Sequence, residues 1–288
     1  MRIDGKAIAG SILQELAKNV SKLKEQCITP TLAVIQIGND FSSTAYIHQK
    51  KKAAERIGAV LKHEKLPVNI SYQHVNTLIH AYNADPTVHG LIIQRPLPKD
   101  LATNSSILNT VDLQKDIDGF VPNSPFEAPV ATAVIRILEE IHTLTGSDPV
   151  NQGFDDWIKS KTIVIIGRGE TAGKPITDAL MKRGCNLSIV HSQTSNPQEI
   201  IKQADIIISC VGRSRVITPD IIKRGAILIG VGIHHDTKGD VRGDYEENKI
   251  ADKAAAFTPT PGGVGPVNVA CLMQNLVKAC ILQKPSFA

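Results

Sequence analysis

Short apolar runs that alternate with helical segments constrain the fold of this 288-residue chain more than any other feature. Residues 31–37, 59–66 and 89–94 are predicted strands, and helical patterns over residues 43–57 and 71–83 separate them. Apolar strands in a β-α-β-α-β order predict a parallel sheet that helices cover on both faces. Ligands of such sheets bind beyond the carboxyl ends of the strands.

A second α/β unit begins with the apolar run Lys161–Ile166, which leads directly into a glycine-rich turn, Gly167–Gly173, and a helix to about Arg183. Free amide groups and the helix dipole favour an anion at such a turn, so it is a candidate phosphate cradle. Its spacing is GxGxxxG, and a plain tight turn is the alternative. Three more apolar runs continue this unit, at residues 186–190, 204–212 and 225–232.

The segments between and after these units are predicted from proline, glycine and polar residues. Residues 121–129 contain three prolines and are predicted to be a linker, and residues 143–153 a surface loop. A helix is predicted over residues 130–142 and another over residues 267–282. The loop over residues 258–266 is so rich in proline and glycine that its backbone must approach something closely, or else form a tight interdomain connection.

Tyr46 and Lys50 are the first candidates for chemistry. A spacing of four places them on one face of a helix that Ser42, Ser43 or Thr44 can cap and Gly58 can end. A tyrosine ring over a flat heterocycle with an ammonium group beside it can act on a bound ring. The alternative is a solvated basic face, because Lys50 begins a run of three lysines.

Polar residues at strand ends add to this pair. Gln94 lies at the carboxyl end of a predicted strand, so the topology brings Lys50 and Gln94 toward one rim of the sheet. Asp116 and Asp118 lie in a tight turn that ends at Gly119, where each is either functional or a turn residue.

The second strand of the second unit indicates which dinucleotide would bind. NAD-binding domains place a carboxylate near the end of this strand to hold the ribose diol, and here His191-Ser192-Gln193-Thr194 provides none. Arg168 and Ser192 can instead hold a 2′-phosphate. The sequence therefore favours NADP over NAD.

Composition excludes several classes of protein. A net charge of +4, with 4% aromatic residues and no basic stripe, argues against nucleic-acid binding. The five cysteines lack metal-ligand spacing and indicate neither a zinc site nor a disulfide framework. No apolar run approaches eighteen residues and the first residues lack a signal core, so we expect a cytoplasmic protein without a membrane segment.

Taken together, the motifs resemble the bifunctional methylenetetrahydrofolate dehydrogenase/cyclohydrolase (FolD-type) family over nearly the whole chain. The matching segments are Ser43-xx-Tyr46-xxx-Lys50, Gly90–Gln94 with Pro96–Pro98, Lys115–Gly119, Gly167-Arg168 with Gly173-x-Pro175, His191-Ser192-x-Thr194, Val231–Ile233 and Thr258–Pro266. Short-chain dehydrogenases also use Tyr-xxx-Lys, but their glycine turn precedes that motif.

The resemblance implies an α/β fold of two domains flanking a cleft, the second a Rossmann-like NADP-binding domain. Residues 1–122 plus 267–288 would form the folate and catalytic domain, and residues 123–266 the dinucleotide-binding domain. A homodimer is implied as well.

The resemblance also assigns roles to individual residues. Tyr46 would stack on the pterin, Lys50 would be the central catalytic cation, Gln94 would hydrogen-bond and position Lys50, and Asp118 would grip the pterin. Backbone near Pro261, Gly262 and Gly263 would line the benzoyl arm of the folate. The residues expected to contact NADP are Gly167, Arg168, Gly169, Ser192 and Ile233.

The implied activity is NADP-dependent oxidation of 5,10-methylenetetrahydrofolate to the methenyl form, followed by hydrolysis to 10-formyltetrahydrofolate. The sequence departs from the family mainly on the dinucleotide side: Gly169 and Ala172 stand where serine and valine are usual. Two alternatives are therefore a cyclohydrolase with weak or lost dehydrogenase activity and a non-catalytic folate-binding protein.

Overall fold

The structure, a computed structural model, describes residues 1–102, 106–146 and 153–283. Helices and mostly parallel strands are interspersed over these residues, which confirms the predicted α/β class. The helices are α1 Gly5–Glu25, α2 Phe41–Ile57, α3 Tyr72–Ala84, α4 Lys99–Ala102, α5 Ser106–Asn109, α6 Pro129–Thr145, α7 Phe154–Lys159, α8 Gly173–Lys182, α9 Pro197–Gln203, α10 Glu247–Ile250 and α11 Val264–Leu282. The strands are β1 Thr31–Ile37, β2 Val60–Leu66, β3 Gly90–Ile93, β4 Ile163–Ile166, β5 Leu187–Val190, β6 Ile206–Ser209, β7 Ile227–Gly230, β8 Ile233–His235, β9 Val241–Gly243 and β10 Ala256–Phe257.

The described chain forms two compact units. Gly10–Pro129 and the residues from Val269 onward form one, here called the Lys50 unit, and Met1–Ala9 with Val130–Asn268 forms the other, the glycine-turn unit. Residues 1–9 belong to the glycine-turn unit, where Ile3 N donates to Phe257 O at 2.9 Å. The predicted grouping of residues 1–9 with the folate domain therefore differs from the structure, and the functional division of the chain stays a prediction.

The Lys50 unit contains a three-stranded parallel sheet in the order β2-β1-β3. Every residue of β1 and β3 is buried, as the apolar runs predict. The edge strand β2 is instead largely exposed, so the prediction of a sheet covered on both faces holds for β1 and β3 only. Exposed charged side chains such as Lys62 and Lys65 are typical of a solvent-exposed edge strand.

Helix α2 begins two residues earlier than its sequence pattern indicates. Asp40 is the N-cap, and its carboxylate accepts the Ser43 N–H at 2.7 Å, so the predicted caps Ser42, Ser43 and Thr44 were wrong. All three polar residues lie inside the first turn, where the sequence alone does not identify the cap. The helix ends at Gly58 in a left-handed conformation, as predicted.

The glycine-turn unit contains a five-stranded parallel sheet in the order β10-β7-β6-β4-β5. The chain runs from β4 to β5 on one side and then returns to β6 on the other, so the strand order reverses at β4, as in a Rossmann-like domain. The Gly167 turn follows β4 at this reversal, and α8 begins at Gly173. The sequence prediction includes neither the hairpin β8–β9 nor helix α9, although Pro197 in the first turn of α9 is a helix-start signal.

Two helices extend beyond their predicted bounds. Helix α6 reaches Thr145, so the predicted loop over residues 143–153 begins later, and its residues 147–152 lie outside the described part. Helix α11 begins at Val264, not at Val267, because Pro266 falls in the first turn, where a backbone N–H has no partner to lose. By length and composition α11 alone among the described helices could cross a membrane, but 61% of its apolar window is buried within the protein.

Candidate active site

Lys50 is a buried cation within a basic run whose other members are exposed. Only 7% of its surface is accessible, whereas Lys51 and Lys52 face solvent. This difference excludes the solvated basic face as an account of Lys50. Tyr46 is half-buried one helical turn earlier on α2.

The carboxamide of Gln94 fixes the ammonium group of Lys50. Lys50 Nζ donates to Gln94 Oε1 at 3.1 Å, which is the hydrogen bond that the resemblance implies. Gln94 Nε2 donates in turn to Arg95 O at 2.9 Å, and Ser43 Oγ donates to the same carbonyl at 3.1 Å. The acceptor oxygen of Gln94 is thereby directed at Lys50 by a peptide group that α2 itself holds.

Burial lowers the pKa of Lys50, and the negative charge of Asp118 opposes this shift. A buried ammonium group loses hydration, which favours its neutral form. The site therefore holds a lysine that can give up and regain a proton more readily than a lysine in water.

The two aspartates in the turn from Lys115 to Gly119 have different surroundings. Asp116 is buried and its carboxylate accepts the Val121 N–H at 2.9 Å and the Phe120 N–H at 3.4 Å, so it is a turn residue. The side chain of Asp118 makes no hydrogen bond to the described residues and acts on Lys50 through its charge. Asp118 is thus the aspartate that remains available to a ligand.

We expect the carboxyl group of Asp116 to titrate at a pH of about 6 when followed by carbon-13 NMR. Burial is the main cause of this raised pKa, and the charge of Asp118 adds to it, so Asp118→Asn should lower the value. Because the folded-state pKa exceeds the unfolded one, the contribution of Asp116 to the free energy of unfolding is complete below a pH of about 4 and is lost as the pH rises through about 6. The same signal in urea-unfolded protein is the control, and a folded-state value at or below about 4 would contradict this account.

The glycine turn after β4 is shaped as a dinucleotide cradle. Gly167 has a φ of +99°, and a Cβ on Gly173 would lie 2.1 Å from the carbonyl oxygen of Gly167, so the start of α8 packs directly on the turn. A Cβ on Gly169 would meet nothing within 4 Å. Gly167 and Gly173 are therefore required by the backbone of the turn, whereas a side chain at Gly169 would meet no nearby atom of the protein.

Arg168 and Ser192 occupy neighbouring strand ends. Strands β4 and β5 pair with Ile166 opposite Val190, which brings the segments that follow them together. Arg168 Nη2 donates to Gln193 Oε1 at 3.2 Å, and Ser192 is exposed next to that glutamine. These donors, with no carboxylate among them, fit a phosphate on the adenosine ribose.

Asp244 is a structurally important residue of this unit that no sequence pattern predicts. It is fully buried, and its carboxylate accepts hydrogen bonds from Ser209 Oγ at 2.5 Å, Val211 N at 3.1 Å and Arg213 N at 2.8 Å. Asp244 thus fixes the loop that follows β6, and Cys210 in this loop lies against Gly167. It stands in a polar stretch with several other aspartates, where no pattern distinguishes it.

The remaining predicted residues also belong to the glycine-turn unit. Ile233 begins β8 and is 42% exposed, and its contact with NADP stays a prediction. Gly262 has a φ of +106°, and a Cβ on Gly5 would lie 1.9 Å from Gly263 O. The close approach predicted for the loop that contains Pro261 is therefore an approach to the start of α1, and its contact with folate stays a prediction.

Comparisons with known proteins match both parts of the chain to one family. Residues 3–118 match the catalytic-domain model of the tetrahydrofolate dehydrogenase/cyclohydrolase family, and residues 151–284 match its NAD(P)-binding-domain model. The chain is 37% identical over 286 residues to the bifunctional protein FolD of Lachnoclostridium phytofermentans, with 96% of each chain covered. It is 38% identical over 291 residues to that of Thermodesulfovibrio yellowstonii, with 98% of this chain and 97% of the relative covered.

Solved structures show the same similarity. The bifunctional FolD enzyme of Campylobacter jejuni superposes with a TM-score of 0.88 at 32% identity, with 99% of both chains covered. The Trypanosoma brucei enzyme, solved in complex with NADP cofactor and an inhibitor, gives 0.87 at 28% identity, with 98% and 97% covered. The chain therefore belongs to the tetrahydrofolate dehydrogenase/cyclohydrolase family.

Proposed function

We propose that the protein oxidises 5,10-methylenetetrahydrofolate to 5,10-methenyltetrahydrofolate with NADP and hydrolyses the product to 10-formyltetrahydrofolate. The observation that carries this proposal is the buried Lys50, hydrogen-bonded to Gln94 and influenced by the charge of Asp118. A protein that only bound folate would gain nothing from a desolvated lysine, because burying a cation costs free energy. This argues against the non-catalytic alternative.

In the oxidation, NADP supplies the hydride acceptor, and the residues of the chain bind and orient the folate. Tyr46 stacks on the pterin, Asp118 accepts hydrogen bonds from its amino and ring N–H groups, and backbone near Gly262 lines the benzoyl arm. Such positioning can supply about 7–11 kcal/mol of the barrier.

In the hydrolysis, water attacks the amidinium carbon of the methenyl form, and the bond from that carbon to N5 then breaks. One proton is released overall, and another must move from the attacking water to the departing nitrogen. Lys50 carries this proton, because its burial lowers its pKa and the cationic substrate lowers it further. Gln94 holds Nζ in place while the proton moves.

The cofactor preference is proposed from the donors around the glycine turn. Arg168 presents a planar group of donors that suits a 2′-phosphate, and Ser192 adds a hydroxyl group beside it. The usual carboxylate that binds the ribose diol of NAD is missing after β5. We therefore propose NADP as the natural oxidant.

Arg168→Ala is expected to raise KM for NADP⁺ in methylenetetrahydrofolate oxidation by about 10- to 100-fold, because a charge-assisted hydrogen bond to phosphate contributes about that much to binding. The KM for NAD⁺, which should be higher than that for NADP⁺ in the wild type, should not change, because NAD lacks the 2′-phosphate. Arg224→Ala removes an exposed arginine that precedes β7 and is the matched control. A proportional loss with both cofactors would contradict the proposed role of Arg168.

We further propose that the protein is a cytoplasmic homodimer that binds neither nucleic acid nor membrane. The weak net charge of +4 supports the absence of nucleic acid. The burial of most of the apolar window of α11 supports a core helix in preference to a membrane span.

A further inference from the structure

Asn275 of α11 ties together the two backbone segments that surround Asp118. Its Nδ2 donates to Ile117 O at 2.8 Å and to Glu127 O at 2.9 Å. Ile117 immediately precedes Asp118, so one of these bonds holds the peptide group from which Asp118 extends. An amide NH₂ group has two donor hydrogens, and both are used here.

The second bond holds the segment that packs on the other side of Asp118. Gly119 has a φ of +68°, and a Cβ there would lie 2.6 Å from Phe126 O and 2.9 Å from Ala128 N. The backbone around Glu127 is thus in direct contact with the residue that follows Asp118. Asn275 joins this segment to Ile117 and so fixes the backbone on both sides of Asp118.

A hydrogen bond within the turn also holds the peptide group after Asp118, since Gly119 N donates to Asp116 O at 3.0 Å. Asp116 stabilises the end of the turn through the Val121 and Phe120 amides, and the Asp118 side chain makes no hydrogen bond to the described residues. The direction of the Asp118 carboxylate therefore depends on the backbone. Rigid support of this kind is what a ligand-binding carboxylate needs, since a displacement of about 1 Å can cost about 10²-fold in rate.

We propose that Asn275 is a positioning residue that sets the direction of the Asp118 carboxylate toward the bound pterin. This inference rests on the proposed role of Asp118 in binding folate. Asn275 acts on the substrate only through Asp118. Replacing Asn275 should therefore have little further effect once Asp118 has been replaced by a neutral residue.

The chain offers a matched control in Gln283, which follows the same helix. Gln283 Nε2 also donates to two backbone carbonyls, His89 O and Gln114 O, both at 2.9 Å. These carbonyls lie at the amino end of β3, whereas Gln94 follows its carboxyl end. Asn275→Asp and Gln283→Glu thus make the same chemical change, each replacing a twofold donor by an acceptor that repels carbonyl oxygens.

The test is a double-mutant cycle between Asn275→Asp and Asp118→Asn, measured as steady-state oxidation of methylenetetrahydrofolate with NADP⁺. We expect Asp118→Asn alone to raise KM for the folate by about 10- to 100-fold and Asn275→Asp alone by about tenfold, with KM for NADP⁺ unchanged in both. In the Asp118→Asn background, Asn275→Asp should add less than about twofold. Gln283→Glu should leave both KM values unchanged, although it lowers the melting temperature in the same way.

Additive effects of Asn275→Asp and Asp118→Asn would overturn the inference, as would equal rises of both KM values or a folate-specific effect of Gln283→Glu. If Asp118→Asn has no effect on KM for the folate, the proposed role of Asp118 fails first, which distinguishes the two failures. Should Asn275→Asp not fold, Asn275→Ser, which keeps one hydroxyl donor, enters the same cycle with the same criteria.

Discussion

Lys50→Met is expected to lower the cyclohydrolase rate by about 10²–10⁴-fold, the usual contribution of a positioned acid or base. The dehydrogenase rate should fall by a smaller factor, because hydride transfer depends on orientation and not on a proton carrier. Methionine fills nearly the same buried volume and requires no hydration, so the fold should tolerate it. Decay of methenyltetrahydrofolate and oxidation of methylenetetrahydrofolate, each followed by absorbance, measure the two rates.

Lys52→Met is the matched control for this change. Lys52 lies two residues further along α2 and is exposed, so its replacement should leave both rates near those of the wild type. Equal losses of both activities in Lys50→Met would contradict a role for Lys50 in proton transfer and would indicate a role in binding alone.

Gly173→Ala is expected to lower the dehydrogenase kcat/KM for NADP⁺ by about 100-fold, through a shift of the glycine turn by about 1 Å. The added Cβ would lie 2.1 Å from Gly167 O, so the backbone of the turn or the start of α8 must move. The cyclohydrolase rate should change little, because Lys50 and Gln94 belong to the other compact unit. The two absorbance assays distinguish these effects in one preparation.

Gly169→Ala adds the same methyl group to the same turn and is the control. A Cβ there meets no atom of the protein within 4 Å, so the turn should keep its shape and the variant should oxidise methylenetetrahydrofolate at a rate close to that of the wild type. Equal losses of activity in both alanine variants would contradict the account that the close packing of Gly173 on Gly167 shapes the turn for NADP⁺.

The sequence predicts the Lys50 site well because its parts lie on regular elements. The buried runs Thr31–Ile37 and Gly90–Ile93 specify parallel strands, and a parallel sheet brings its strand ends to one edge. Tyr46 and Lys50 follow one strand and Gln94 ends another, so topology alone predicts that Lys50 and Gln94 approach each other. The burial of Lys50 was not predictable, because a run of three lysines carries no signal that only the first is covered.

The residues that the sequence does not reveal act through the backbone. Asp40 caps α2, Asp244 binds the loop after β6, and Asn275 holds the peptide before Asp118. The partner of Asp40 is the local Ser43 amide, whereas the partners of Asp244 and Asn275 are distant in sequence and are fixed by tertiary structure. Composition and periodicity report which face of an element is buried, but they do not report which carbonyl or amide a single side chain reaches.

Whether one chain carries both activities can be measured by absorbance. Oxidation of methylenetetrahydrofolate is followed with NADP⁺ and NAD⁺ in parallel, and the decay of methenyltetrahydrofolate is then followed in the same cuvette. We expect oxidation with NADP⁺, slower oxidation with NAD⁺ and an enzyme-accelerated decay. Lys50 and Gln94 should serve both activities, whereas the glycine turn should serve the oxidation alone. Decay without oxidation would contradict the bifunctional account and would show that the turn without a serine at Gly169 does not serve NADP. Oxidation without accelerated decay would contradict the role of the buried Lys50.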